Sequence, residues 1–143
     1  TTDFDVIVER DQEGYYVASV PALHGCHTQA RSLDELMIRV REVIGLCLEV
    51  QGPPPDGLDF VGDSGFALGM SPRVQVTGAQ LLTALGKRGF EVARIRGSHH
   101  FMKHPDGRAT SIPVHSGESI GPGLLSRILR DVEMTKDELL QLL

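Results

Sequence analysis

The chain opens on an alternation of apolar and polar positions. Asp3-Phe4-Asp5-Val6-Ile7-Val8-Glu9-Arg10 has a period of two and predicts a half-buried strand. Asp11-Gln12-Glu13-Gly14 supplies turn residues, so residues 15–20 (YYVASV) predict the second arm of a hairpin. Pro21 ends that arm, because proline has no N–H for a sheet ladder. Residues 26–30 predict a short third strand. The period then lengthens to that of a helix. Ser32 is placed to cap it, with Glu35 three residues on as a capping box requires. Leu33, Leu36, Met37, Val40, Val43, Ile44, Cys47 and Leu48 predict one apolar stripe. Gly52 and the prolines at 53–55 stop it, and residues 58–61 predict a fourth strand. The first part thus reads βββαβ.

Residues 62–72 (GDSGFALGMSP) break both periods and predict a linker. A second capping box, Thr77 with Gln80, opens a short helix whose apolar face is Leu81, Leu82 and Leu85 and which ends at Gly86 or Gly89. Residues 90–96 and 99–103 read as strands, with Phe90, Val92 and Ala93 or Ile95 expected to face inward. Pro105-Asp106-Gly107 is a turn, and residues 109–115 are a third strand. Pro122 suits a helix start, and Leu124, Leu125, Ile128, Leu129 and Val132 follow at helical spacing. Thr135 and Glu138 cap a last helix over 136–143. The second part reads αβββα plus this terminal helix. The expected class is α+β, divided as residues 1–62, a linker at 63–72, and residues 73–143.

Charge separates the same two parts. Residues 1–65 carry four basic and twelve acidic side chains, a net of -8, whereas residues 66–143 carry ten basic and seven acidic ones, a net of +3. The basic part suits a polyanion, and the acidic part can compete with that polyanion for it. Nothing approaches the ~18 apolar residues of a membrane span. The start of the chain has no basic-then-apolar signal pattern, and the two cysteines, Cys26 and Cys47, lack a CxxC spacing. Both features predict a cytoplasmic protein that does not engage a membrane.

Chemistry concentrates in Arg94-Ile95-Arg96-Gly97-Ser98-His99-His100-Phe101-Met102-Lys103-His104. With Gly97-Ser98 as a bend, alternation puts His99, Phe101 and Lys103 on one face and His100, Met102 and His104 on the other. Arg94, Arg96, Lys103 and Arg108 are near enough in sequence to gather around a phosphate. RNA brings its own nucleophile, the 2′-OH. One histidine among cations can therefore assist backbone cleavage, because its unperturbed pKa of about 6.5 lets it move protons at neutral pH. The same pattern also describes a polar sheet edge with solvated histidines. Neighbouring histidines in a strand diverge, so His99 and His100 make poor joint ligands, and His24-Gly25-Cys26-His27 lacks a second pair to complete a tetrahedron. No metal and no cofactor are expected.

Residues 73–143 resemble the HicA toxin family, small mRNA interferases with a double-stranded-RNA-binding-domain-like fold. The likeness rests on LLTALGKRGFEV, Gly97-Ser98-His99-His100-Phe101, His104-Pro105-Asp106-Gly107, Ile112-Pro113-Val114-His115 and Pro122-Gly123-Leu124-Leu125-Ser126-Arg127-Ile128-Leu129, in that order. Residues 3–62 are similar to the HicB antitoxin family, a partial ribonuclease-H-like βββαβ fold without that enzyme's activity. Here the likeness rests on Tyr16-Val17-Ala18-Ser19-Val20-Pro21, Gly25-Cys26-His27-Thr28-Gln29 and Ser32-Leu33-Asp34-Glu35. The first resemblance implies His99 as the catalytic residue, with Arg94, Arg96, Gly97, Ser98, Lys103 and Arg108 contacting RNA. Together they imply a toxin–antitoxin protein whose ribonuclease part is inhibited by a linked antitoxin part, within one chain or between two. They also imply mRNA as target and a homodimer paired through open sheet edges. The alternative is a non-catalytic RNA-binding or protein-interaction module. Gly121 departs from the toxin pattern, which often has a basic residue there.

Overall fold

The computed structural model describes residues 3–54 and 74–143. The strand expected at 58–61 and the linker expected at 63–72 lie outside the described residues. The first sheet is the meander β1 (Ile7–Arg10), β2 (Tyr16–Ser19) and β3 (His27–Ala30), antiparallel throughout, with Arg10 opposite Tyr16 and Tyr16 opposite Ala30. Its turn is held by Asp11, whose carboxylate accepts from the N–H groups of Glu13 and Tyr15 at 2.9 Å each. The long helix α1 (Leu33–Gln51) follows, and Ser32 caps it by accepting from the Glu35 N–H.

The second part runs α2 (Gly78–Gly86), β4 (Glu91–Arg96), β5 (His99–Lys103), β6 (Ala109–Pro113), α3 (Pro122–Asp131) and α4 (Lys136–Leu142). Of the three capping boxes expected, those of Thr77 with Gln80 and Thr135 with Glu138 form in full, whereas at Ser32 only the hydroxyl half forms and the Glu35 carboxylate accepts from Arg39 instead. The strands make a second antiparallel meander, ordered β4-β5-β6. The mixed α+β class is as read, a sheet and helix first and a helix–sheet region after it.

Two expectations about faces need correction. Val92 and Ile95 do not face inward: all of β4 is exposed, and its register slips between Val92 and Arg94. β4 is an edge strand, and alternation along one strand cannot say how far the covering helices extend. On α1, Leu33 and Met37 are exposed, while Arg39 and Leu46 are buried. A second sheet lies against that flank of the helix.

The apolar cores interlock. One cluster holds Val74, Leu81, Leu85, Phe90, Met102, Ile112, Leu124, Leu125, Ile128 and their neighbours, and Val17 of β2 enters it. The other holds Ala18, Leu36, Val40, Val43, Leu46 and Cys47, and Phe101 and Ala109 of the second sheet enter that one. The edges β3 and β6 meet without a backbone ladder. Instead the Ser111 hydroxyl donates to the Gly25 carbonyl, and His27 Nε2 lies 3.1 Å from Thr110 Oγ1 and 3.2 Å from the Ser111 carbonyl. Helix α1 thereby lies across strands of both sheets.

Candidate active site

The site is built at the β4–β5 hairpin. Gly97 turns it with φ +56, a left-handed conformation that glycine adopts at little cost. Register then places side chains. Arg96 is opposite His99, Arg94 opposite Phe101 and Glu91 opposite Lys103, so these six share one face of the sheet. The alternation read from sequence is the observed one: His99 and Phe101 turn toward α1 and β3, and Met102 turns into the core under α2 and α3.

His99 is fully buried, and residues from the first part engage both ring nitrogens. Nδ1 lies 2.6 Å from Glu42 Oε1 of α1, and Nε2 lies 2.7 Å from Thr28 Oγ1 of β3. A carboxylate can only accept, so Nδ1 carries the proton and donates to Glu42; Nε2 then accepts from the Thr28 hydroxyl. Burial pushes the imidazole below its ordinary pKa, against the pull of the Glu42 hydrogen bond, and so favours this neutral form. Burial acts on Glu42 in the opposite sense. Donation from His99 and from the Ser98 N–H and O–H outweighs it and holds the carboxyl below the usual carboxylate range.

Arg94 and Arg96 stand beside this cluster, and both guanidinium groups ion-pair with Glu49, two turns along α1 from Glu42. Lys103 is exposed at the far end of the same face. Arg108 is not brought to it. Its guanidinium donates to Asp106 at 2.8 Å and to the Val132 carbonyl at 2.7 Å, and lies over the Phe90 ring. A partner two residues away captures this side chain before a distant cluster can. His104 is likewise engaged away from the cluster: its Nδ1 accepts from the Asp106 N–H at 3.1 Å, and its Nε2 lies 3.0 Å from the Arg88 carbonyl.

A second polar seam fixes how the parts meet. Arg39, buried in α1, donates to the Gln29 carbonyl at 2.7 Å and pairs with Glu35 and with Glu118. The Gln29 side chain donates to the Ser119 carbonyl and accepts from the Gly121 N–H, both at 2.9 Å. A side chain at Gly121 would overlap Asp11 and come within 2.7 Å of Tyr15 Cδ2, so the basic residue common at that place in the toxin family has no room here. Arg127 of α3 pairs with Glu9 of β1. Nearby, His27 is buried and pushed down to about 3, chiefly by burial, and Asp131, whose carboxylate lies 3.3 Å from it, is pushed up to about 6 by burial.

Sequence reasoning missed Glu42, Glu49, Thr28, Gln29 and Arg39 as site residues. A signal existed for two of them: Glu42 and Glu49 are seven apart, hence on one helical face. Cys26 and Cys47 are free and buried, and the hydrogen bond between their thiols, with burial, raises the Cys26 pKa. Among the described residues no group of three His, Cys, Asp or Glu side chains is placed to hold a metal ion, and no helix is long and apolar enough to cross a membrane.

Residues 78–134 match the family described as HicA toxin of bacterial toxin-antitoxin. Three UPF0150 proteins are similar to this chain. That of Archaeoglobus fulgidus is 58% identical over 59 residues, 41% of this chain and 84% of that protein. That of Synechocystis is 51% identical over 47 residues, 33% of this chain and 68% of that protein. That of Thermoplasma acidophilum is 44% identical over 46 residues, 32% of this chain and 67% of that protein. The chain therefore belongs to the UPF0150 family and carries a HicA-like toxin domain over residues 78–134.

Proposed function

We propose that residues 73–143 are a latent endoribonuclease, an mRNA interferase, and that residues 1–62 are a HicB-like antitoxin part joined to it by a linker at 63–72. In this reading the first part is a partial ribonuclease-H-like fold and the second a double-stranded-RNA-binding-like one. The observation that carries it is His99 wholly covered, with Glu42 and Thr28 of the acidic part holding both its nitrogens. Each group a proton-transfer catalyst needs is present, and each is occupied.

With the cover removed, neutral His99 takes the proton of a ribose 2′-OH. The 2′-oxygen then bonds to the adjacent phosphorus and the P–O5′ bond breaks. A 2′,3′-cyclic phosphate is left on one strand, and the departing O5′ takes a proton from water to end the other as a hydroxyl. The attacking oxygen belongs to the RNA, so the step draws on no metal. Arg94, Arg96 and the Ser98 N–H supply charge and donors for the phosphate. Among the described residues β1 has a strand on one side only, and such an edge suits pairing with a second copy, the basis for a homodimer.

The test compares the full chain with residues 71–143 on RNA in excess chelator. The fragment keeps a core of its own, since every buried residue of that cluster but Val17 belongs to it. The fragment is expected to cut, the full chain to be at least about 100-fold slower, and His99→Ala in the fragment to lose about 10²–10⁴-fold. Unimpaired cutting by the His99→Ala fragment removes the catalytic assignment, and equal cutting by the full chain removes the inhibition. RNA retarded in a salt-dependent way yet left full length establishes a binding module instead.

A further inference from the structure

Among the described residues, the partners of Glu42 and Glu49 all belong to the second part. Glu42 Oε1 accepts three hydrogen bonds: from the Ser98 N–H at 3.1 Å, the Ser98 hydroxyl at 3.1 Å and His99 Nδ1 at 2.6 Å. Its other oxygen lies over Gly97, where a Cβ would overlap the carboxylate, so only a glycine lets an anion come this close. Glu49 bridges two cations, one oxygen toward Arg94 and the other toward Arg96. Seven residues of helix separate the carboxylates, about 10 Å along the axis at ~1.5 Å per residue. Gly45 sits between them, and a Cβ there would fall 2.7 Å from the Arg96 guanidinium carbon. A mid-helix glycine costs about 1 kcal/mol relative to alanine. Here it clears the groove in which Arg96 reaches Glu49.

A helix that presents two anions in line, one to a backbone N–H, hydroxyl and imidazole and the other to a pair of guanidinium groups, offers what a polyphosphate strand offers. Resting on the ribonuclease reading, we propose that α1 is a substrate mimic. Glu42 stands where the phosphate to be cut would sit, and Glu49 stands where a second phosphate of the same RNA strand would sit. On this assignment the Ser98 N–H and hydroxyl are the donors for the reacting phosphate, Arg94 and Arg96 hold the other, and helix and RNA exclude one another by competing for the same donors.

Phosphate binding tests this without asking for cleavage. In full chains labelled with nitrogen-15, inorganic phosphate is titrated while the Ser98 amide and the His99 ring are followed. The Glu42 side chain is 30% exposed, so Glu42→Ala opens its place to solvent. The native chain is expected to show no saturable shift at Ser98. Glu42→Ala is expected to show one in the millimolar range, and Glu42→Ala with Ser98→Ala to weaken it about tenfold. Equal shifts in native and Glu42→Ala chains, or none in a Glu42→Ala chain whose other amides are unmoved, would overturn the proposal.

A second measurement stands if Glu42→Ala fails to fold. Glu49→Ala in the full chain is expected to bind a short single-stranded 2′-deoxy oligonucleotide, which cannot be cut, with higher affinity and a salt slope steeper by about 1.4, as two newly available cations predict at roughly 0.7 each. Unchanged affinity overturns it. Phosphate binding by Glu42→Ala, alongside a fragment that never cuts RNA, keeps the mimic and removes the ribonuclease reading. A cutting fragment without phosphate binding does the reverse.

Discussion

At the scale of single residues the site is a contest between burial and hydrogen bonding, and its sign against pH can be worked out. His99 and His27 both have folded pKa values below the ordinary one, the latter at about 3. The unfolded chain therefore binds more protons than the folded chain as pH falls below about 6.5, and the fold loses stability there. Glu42 acts in the same sense lower down, since its contribution is present above its ordinary pKa and is lost as pH falls through the depressed one. Asp131 opposes them: raised to about 6, it favours the fold as pH falls from there toward ~4. Two histidines outweigh one carboxyl, so urea midpoints should drop between pH 7 and pH 5, and His27→Gln should flatten that slope. An unchanged slope would show that His27 is not the group titrating. Alternation put His99, Phe101 and Lys103 on one face, because strand geometry alone fixes it. Arg108 was grouped with them on sequence distance, which says nothing of the nearer acceptor at Asp106.

At the scale of elements, the caps and turns were legible because each is decided within four residues. Ser32, Thr77 and Thr135 all cap as read. Helix faces were not, because they depend on what packs from outside the helix. Arg39 is the clearest case, a cation buried on what reads as a polar position. It bonds the Gln29 carbonyl and two carboxylates, and Glu118 is itself largely covered. Arg39→Ala strands that carboxylate and should cost about 3 kcal/mol in urea unfolding. The start of α3 is equally constrained. Gly121 has an ordinary φ of -70, so its need is for space, not conformation. Gly121→Lys must push Asp11 and Tyr15 aside and should cost about 1–3 kcal/mol. It should also raise RNA cutting by the full chain, and a variant as stable and as inactive as the parent would contradict both points.

At the scale of the whole molecule, the parts are joined by crossing side chains as well as by the chain itself. Phe101 leaves its own sheet for the core under α1, so Phe101→Ala should cost about 3–5 kcal/mol and loosen the cover over His99. If these contacts suffice without the covalent connection, residues 1–62 added to residues 71–143 should restore inhibition once their concentration exceeds the Kd of the pair, an excess that a covalent connection supplies by raising the local concentration to roughly millimolar. Failure to inhibit at any concentration would make the tether essential. Local pattern was enough for the order of the described elements, the opposite charges of the two parts and the face on which His99 lies. Each follows from local backbone geometry or from counting. Packing in three dimensions settles the rest: Glu42 and Thr28 close on His99, Glu49 takes Arg94 and Arg96, and Arg108 stays away. Those pairings join residues as many as 71 positions apart, as Thr28 and His99 are, and depend on how α1 lies across two sheets, which no local pattern encodes.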